Sequence, residues 1–182
     1  VRASFASTEI DALLITGPTN RRWLTGFTGS AGLILVTADE VVLITDSRYT
    51  EQAAEQLSRS AAPVRLEITS TAQREIAVAA VGGARRIGLE AEHVTWSSQR
   101  RYAEEWFADR SLIATTGVVE RLRRHKDDTE LARMELAAHI TDTALAEVRH
   151  RLAGRPTEEE FAAELDTAMR ALGATRPSFE TV

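Results

Sequence analysis

The chain is 182 residues long, 43% hydrophobic and 27% charged, with a formal net charge of -5. That is the make-up of a globular protein with room for one domain and part of a second, and its acidity disfavours a nucleic-acid partner held through phosphates. The absence of cysteine excludes a disulfide framework and thiolate chemistry. No apolar run reaches the ~18 residues of a membrane span, the opening residues Val1 to Phe5 lack the apolar centre of a signal peptide, and a cytoplasmic location is expected.

Residues 1–10 read as a helix or its remnant. Ala12 to Thr16 is short and apolar and closes on Gly17-Pro18, which marks a buried strand. Asn20 to Thr25 reads as a short helical turn with Asn20 as its cap. Ala31 to Thr37 and Val41 to Thr45 are apolar runs three residues apart, a spacing that forces an antiparallel hairpin and hence a mixed sheet. A helix follows from Arg48 to about Ser58, with Tyr49, Ala53 and Leu57 on one face. The Asp46–Arg48 pair is expected to cap it. After Pro63 come a strand over Val64 to Ile68, a helix over Thr71 to Val81 stopped by Gly82-Gly83, and a strand over Arg86 to Glu90. Thr95 caps a helix running to about Ala108, with Trp96, Ala103, Trp106 and Phe107 as its apolar residues, and Leu112 to Thr115 is the last strand. Strands alternating with helices around one hairpin predict a three-layer mixed α/β domain.

The texture then changes. Residues 117–126 carry one acid and four Lys or Arg, and read as a solvated linker. Residues 127–182 hold twelve acids and six Lys or Arg. Leu131, Met134, Ala138, Thr141, Leu145, Val148 and Leu152 form one stripe along a helix of roughly 25 residues, ~38 Å long. Gly154 ends it. Thr157 to Glu160 is a capping box, Phe161, Leu165, Ala168 and Leu172 make the next stripe, and Gly173 stops that helix.

The densest cluster of turn-formers and small polar residues is Thr19 to Gly32, with Gly26, Gly29 and Gly32 three residues apart. A loop of this kind between buried strands is where α/β domains place function. Spacing rules out three chemistries. A P-loop needs Lys after its last glycine, where Leu33 stands. The dinucleotide fingerprint opens a helix, and this loop opens a strand. A nucleophile elbow needs Gly-x-Ser-x-Gly and triad partners, and Ser30 has neither. His93, His125, His139 and His150 include no i, i+4 metal pair, and they read as solvated or satisfied side chains.

Asn20-x-x-Trp23-Leu-Thr-Gly-Phe-Thr-Gly-Ser-Ala-Gly32, followed by Thr45-Asp-Ser-Arg-Tyr49, resembles the N-terminal domain of the creatinase/prolidase/Xaa-Pro aminopeptidase family. Ser47 departs from the commoner Asp-Gly-Arg-Tyr. Arg123-x-x-Lys126-Asp127-x-x-Glu130-Leu131, Gly154-Arg-Pro-Thr-Glu-Glu-Glu160 and Arg176-Pro-Ser-Phe-Glu-Thr-Val182 resemble the entry into the family's pita-bread catalytic domain, so the likeness spans about Asp11 to Val182. It implies a creatinase/prolidase N-terminal-like domain over 1–116, a linker over 117–126, and over 127–182 the first two helices of an α+β pita-bread domain that breaks off at its first strand.

The resemblance also implies a function. The family cleaves Xaa-Pro bonds, as dipeptidase or aminopeptidase, with two divalent metal ions (manganese, cobalt or zinc) held by two Asp, one His and two Glu. All five belong to segments downstream of this chain, so it is expected to hold no metal or catalytic residue and to be inactive alone. Family members form homodimers in which the N-terminal domain reaches a partner's cleft. That would place Arg22 and Trp23 near a proline-containing peptide, with Trp23 as an ordinary core residue the alternative. The rival functions are creatinase-type C–N hydrolysis and a non-catalytic binding module of the same fold.

Overall fold

The computed structural model describes residues 1–60 and 63–179. The chain divides into two compact units, Val1–Arg124 and His125–Val182.

The first unit is built on a six-stranded sheet: β1 (Ala12–Ile15), β2 (Leu33–Val36), β3 (Val41–Thr45), β4 (Arg65–Ile68), β5 (Arg86–Glu90) and β6 (Ser111–Thr115), in the order β4-β3-β2-β1-β5-β6. β2 runs antiparallel to both β1 and β3, while β3–β4, β1–β5 and β5–β6 are parallel. Five strands therefore point one way and β2 points back, which is the mixed sheet that the three-residue connection demanded. The helices are α1 (Pro18–Thr25), α2 (Thr50–Ser58), α3 (Gln73–Val81), α4 (Trp96–Arg101) and α5 (Val118–Arg123).

Every residue of β1 and β2 is buried, because both faces of the central strands are covered. Alternate side chains serve two cores. Leu14, Leu35, Val42, Ile44 and Ile87 pack with Ala77, Val81, Tyr102 and Phe107. Leu13, Ile15, Ile34 and Leu43 pack with Phe27, Ala53, Val118 and Val119. Helix on both faces of one sheet makes the three layers expected from the sequence, and Tyr49, Ala53 and Leu57 turn toward the second core as their spacing required.

Several local expectations are corrected. Asn20 does not cap α1; it lies in the helix interior, fully buried, and Gly17 is the N-cap. Pro18, with its φ fixed near the helical value, starts the helix earlier. The expected helix to Ala108 narrows to α4 and then widens into a π-turn over Tyr102–Trp106, closed by Phe107 N donating to Tyr102 O at 2.8 Å. That turn gathers Tyr102, Trp106 and Phe107, with centroids 5.0–6.5 Å apart. Trp96, read as apolar-face, is 78% exposed. The stretch read as a solvated linker contains α5, whose Val118 and Val119 are buried in the second core.

Asp11 fixes the entry to β1. Its carboxylate accepts from the backbone N–H of Arg85 and Arg86 at 3.0 and 2.9 Å and from Arg86 Nη2 at 2.8 Å. The Arg86 side chain and these N–H donors hold its pKa at about 2. A carboxyl whose folded value lies below its unfolded one stabilises the fold above the unfolded pKa and loses that contribution as pH falls toward the folded one. Asp11→Asn should therefore cost on the order of 1 kcal/mol at neutral pH, the pair being partly screened because the Asp11 and Arg86 side chains are 34% and 47% exposed. The difference should shrink between about pH 4 and pH 2, as paired urea titrations at each pH would read.

In the second unit, α6 (Asp128–Val148) and α7 (Glu158–Ala171) both open on capping boxes, Asp127 with Glu130 and Thr157 with Glu160. A 3-10 turn over Arg149–Gly154 follows α6. Ala144 and Met169 are buried, whereas Leu131, Met134, Leu145 and Leu152 of the predicted stripe are 44–55% exposed. Pro177, Ser178 and Phe179 form no strand, and the rest of the strand expected there, 180–182, lies outside the described residues.

Candidate functional site

Because β2 runs against its neighbours, its first residues lie beside the carboxyl ends of β1 and β3. In open α/β sheets that rim is where ligands are met. Here it gathers α1, the loop 26–32, the turn after β3, the end of β5 and α5.

α1 ends at Gly26, at φ +75°, a value that glycine adopts without strain. At Gly29 a Cβ would stand 2.2 Å from the Phe27 ring, so a larger residue would have to displace that buried ring. Phe27 is buried and meets Tyr49 edge-on at 5.6 Å. Gln52 and Gln56 of α2 donate to Thr28 Oγ1 at 2.9 and 2.8 Å. Ser30 N donates to the Tyr49 phenol oxygen at 3.3 Å, and the two hydroxyls lie 2.7 Å apart. These bonds hold the Tyr49 pKa below that of an ordinary phenol. Beside it, Asp46 accepts from Arg48 N at 3.1 Å and pairs with the Arg48 guanidinium at 2.7 Å, the expected cap and ion pair.

Arg21 carries the loop from beneath. Only 3% exposed, it donates to the carbonyls of Gly32, Gly29 and Ser30. Burial lowers the pKa of its guanidinium, and the charge of Glu90 opposes that shift.

Glu90, at the end of β5, holds the chain where it enters α1. Its Oε2 accepts from the backbone N–H of Thr16 and of the N-cap Gly17, both at 2.7 Å. Its Oε1 accepts from Asn20 Nδ2 at 2.7 Å. The same nitrogen donates to Glu120 Oε1 at 2.5 Å, and Asn20 Oδ1 accepts from Arg123 at 3.0 Å. His93 Nε2 stands 3.5 Å from Glu120. Burial pushes the Glu120 carboxyl up, but Asn20 and His93 outweigh it and hold the pKa below the usual value.

Glu90, His93 and Glu120 bring three metal-ligand atoms within 4.8 Å of one another. A search for His pairs on a helix passes over this group, since its one local signal is Glu90-x-x-His93. The Asn20 amide stands between the two carboxylates and supplies the positive hydrogens that an ion would. Protein donors thus meet the demand of the cluster.

The two residues singled out for substrate lie outside this network. At 100° per residue, Asn20, Arg21, Leu24 and Thr25 share one side of α1, while Arg22 and Trp23 share the other. Asn20, Arg21 and Thr25 are buried and Arg22 is exposed. Trp23 is 37% exposed, so the alternative of a core tryptophan is corrected.

Fold and rim together define a mixed-sheet α/β module that presents a short helix and a braced loop. The chain belongs to the Creatinase/Prolidase N-terminal domain family, whose sequence model matches residues 1–125. It is 34% identical over 186 aligned positions to the uncharacterized peptidase YqhT of Bacillus subtilis, covering all of this chain and 51% of that one. Its structure is similar to an Xaa-Pro dipeptidase from Bacillus anthracis, with TM-score 0.85 and 33% identity over 98% of this chain and 49% of the other. An X-Pro aminopeptidase from Thermotoga maritima gives TM-score 0.83 and 32% identity over 98% and 51%. The chain thus spans about half the length of these relatives. Among the described residues, no helix is long and apolar enough to cross a membrane.

Proposed function

We propose that this chain is the leading half of a cytoplasmic, homodimeric Xaa-Pro peptidase, the first unit being its N-terminal domain and the second the start of its catalytic domain. The observation that carries this reading is the likeness, over 98% of the chain, to solved proteins titled Xaa-Pro dipeptidase and X-Pro aminopeptidase. The manganese, cobalt or zinc pair of such an enzyme would be held by the part of the relatives that this chain does not cover. Among the described residues, Glu90, His93 and Glu120 do not fit a two-ion centre. They include no aspartate, and both oxygens of Glu90 and Oε1 of Glu120 are engaged by Thr16, Gly17 and Asn20.

In this reading the outward side of α1 meets a proline-containing peptide in the cleft of the partner subunit. Trp23 offers flat apolar area to a proline ring, and the Arg22 guanidinium suits a carboxylate. Such contacts bind ground and transition states alike. In a protein that continues through the catalytic half, Arg22→Ala and Trp23→Ala should each raise KM for an Xaa-Pro peptide about fivefold or more with kcat little changed. The 182-residue chain serves as a control that turns over none. Absence of Xaa-Pro hydrolysis by the longer protein would overturn the assignment, and unchanged KM in both variants would overturn the peptide contact.

A further inference from the structure

We infer that Asn20 is a positioning residue, a three-way key that locks α1 to β5 and α5 and so fixes where Arg22 and Trp23 point; the inference rests on the reading that those two residues meet the peptide. α1 is eight residues long, too short to hold a helical orientation by its own hydrogen bonds. Its direction must come from tertiary contacts. Asn20 makes three, to partners 70, 100 and 103 residues away in sequence: Glu90 at the end of β5, and Glu120 and Arg123 on α5. It is 0% exposed, so no solvent competes for these bonds.

The chemistry of the position selects asparagine. The side chain must donate twice on one edge, to two carboxylates, and accept on the other, from a guanidinium, within a span of one amide. Aspartate would set a third carboxylate against the other two. Leucine and alanine would leave both carboxylates and the arginine without this partner, and glutamine is longer by a methylene. The His93 ring lies against the N-cap of α1, so near Gly17 that a Cβ there would come within 2.7 Å of it. Because the buried and exposed sides of one short helix rotate together, a clamp on Asn20 is also a clamp on Arg22 and Trp23. α5 is the last helix of the first unit, so the key ties the presenting helix to the segment where that unit ends.

Two readouts test this. In the 182-residue chain with Trp96→Phe and Trp106→Phe, Trp23 alone reports by fluorescence anisotropy. Asn20→Ala should lower that anisotropy while far-UV circular dichroism still shows the fold. In the protein that continues through the catalytic half, Asn20→Ala should raise KM about fivefold with kcat within about twofold, as loss of binding geometry rather than of chemistry. Unchanged anisotropy overturns the key. So does a loosened Trp23 with KM unmoved in Asn20→Ala when Trp23→Ala does raise it. A loosened Trp23 with KM unmoved in both variants supports the key and overturns the peptide contact instead. Should Asn20→Ala not fold, Glu120→Ala and Arg123→Leu each delete one arm and are read the same way, with smaller effects expected.

Discussion

Glu90→Ala should destabilise the first unit by about 3–5 kcal/mol, the range for removing one partner from a buried charged network. Glu90 is 7% exposed and accepts from Thr16 N, Gly17 N and Asn20 Nδ2, all at 2.7 Å. Each donor left unsatisfied in the interior costs ~1–3 kcal/mol, and the buried Arg21 would also lose the nearby negative charge that opposes its desolvation. Against a typical domain stability of about 5–15 kcal/mol, the loss is a large share of the whole. At ~4 °C per kcal/mol, the melting point should fall by roughly 12–20 °C. Glu90→Gln keeps an oxygen for the two backbone donors but sets an NH2 group against that of Asn20, so it should cost about 1–2 kcal/mol. Urea unfolding of the three proteins gives the order directly. A loss under about 1 kcal/mol for Glu90→Ala would mean that water replaces the carboxylate and that the network is not what seats α1.

Legibility of these features followed the range of the interactions behind them. β1, the β2–β3 hairpin and β5 could be read because short apolar runs between turn residues state their own burial. The Asp46 cap and the box at Thr157 were equally plain, each being closed within three residues. Cap preference is a local rule that points to Asn20, whereas the start of α1 is held by Glu90, more than 70 residues away, through Thr16 N and the N-cap Gly17 N. No pattern in one stretch of sequence states that contact; it exists because β5 lies parallel to β1. The return of the chain along β6 likewise brings Glu120 and Arg123 to Asn20. In residues 117–126 the basic charge hid two buried valines, since a helix one turn and a half long needs only one apolar side. Trp96 was grouped with Trp106 as apolar on composition, yet it starts α4 and faces solvent. The outward placement of Trp23 was not decided by spacing, because an eight-residue helix with apolar and polar residues on both sides has no obvious inner face.

The 182-residue chain should self-associate through its second unit. Leu131, Met134, Leu145 and Leu152 are spaced by 3, 11 and 7 residues, close to whole helical turns, and share one side of α6 and the turn after it, each about half exposed. Leu136, 60% exposed, lies on a different side. A helix apolar on more than one side is normally covered from more than one direction. Full burial of such a side chain is worth ~1.5–3 kcal/mol, so covering the exposed half of these five would recover on the order of 5 kcal/mol. On the reading proposed above, the rest of a catalytic domain would take that place in a longer protein, and this chain covers about half of its relatives. In its absence a second copy offers the same apolar surface at no sequence cost. Sedimentation at several concentrations should show mass-action association for residues 1–182 and a monomer for residues 1–124. Leu131→Glu with Leu145→Glu should return the longer chain to monomer while leaving the melting of the first unit unchanged. A longer chain that stays monomeric across that range, with α6 amides protected from exchange, would mean that the helices are covered within one molecule, and the assignment of the second unit as an uncovered start of a larger domain would fail.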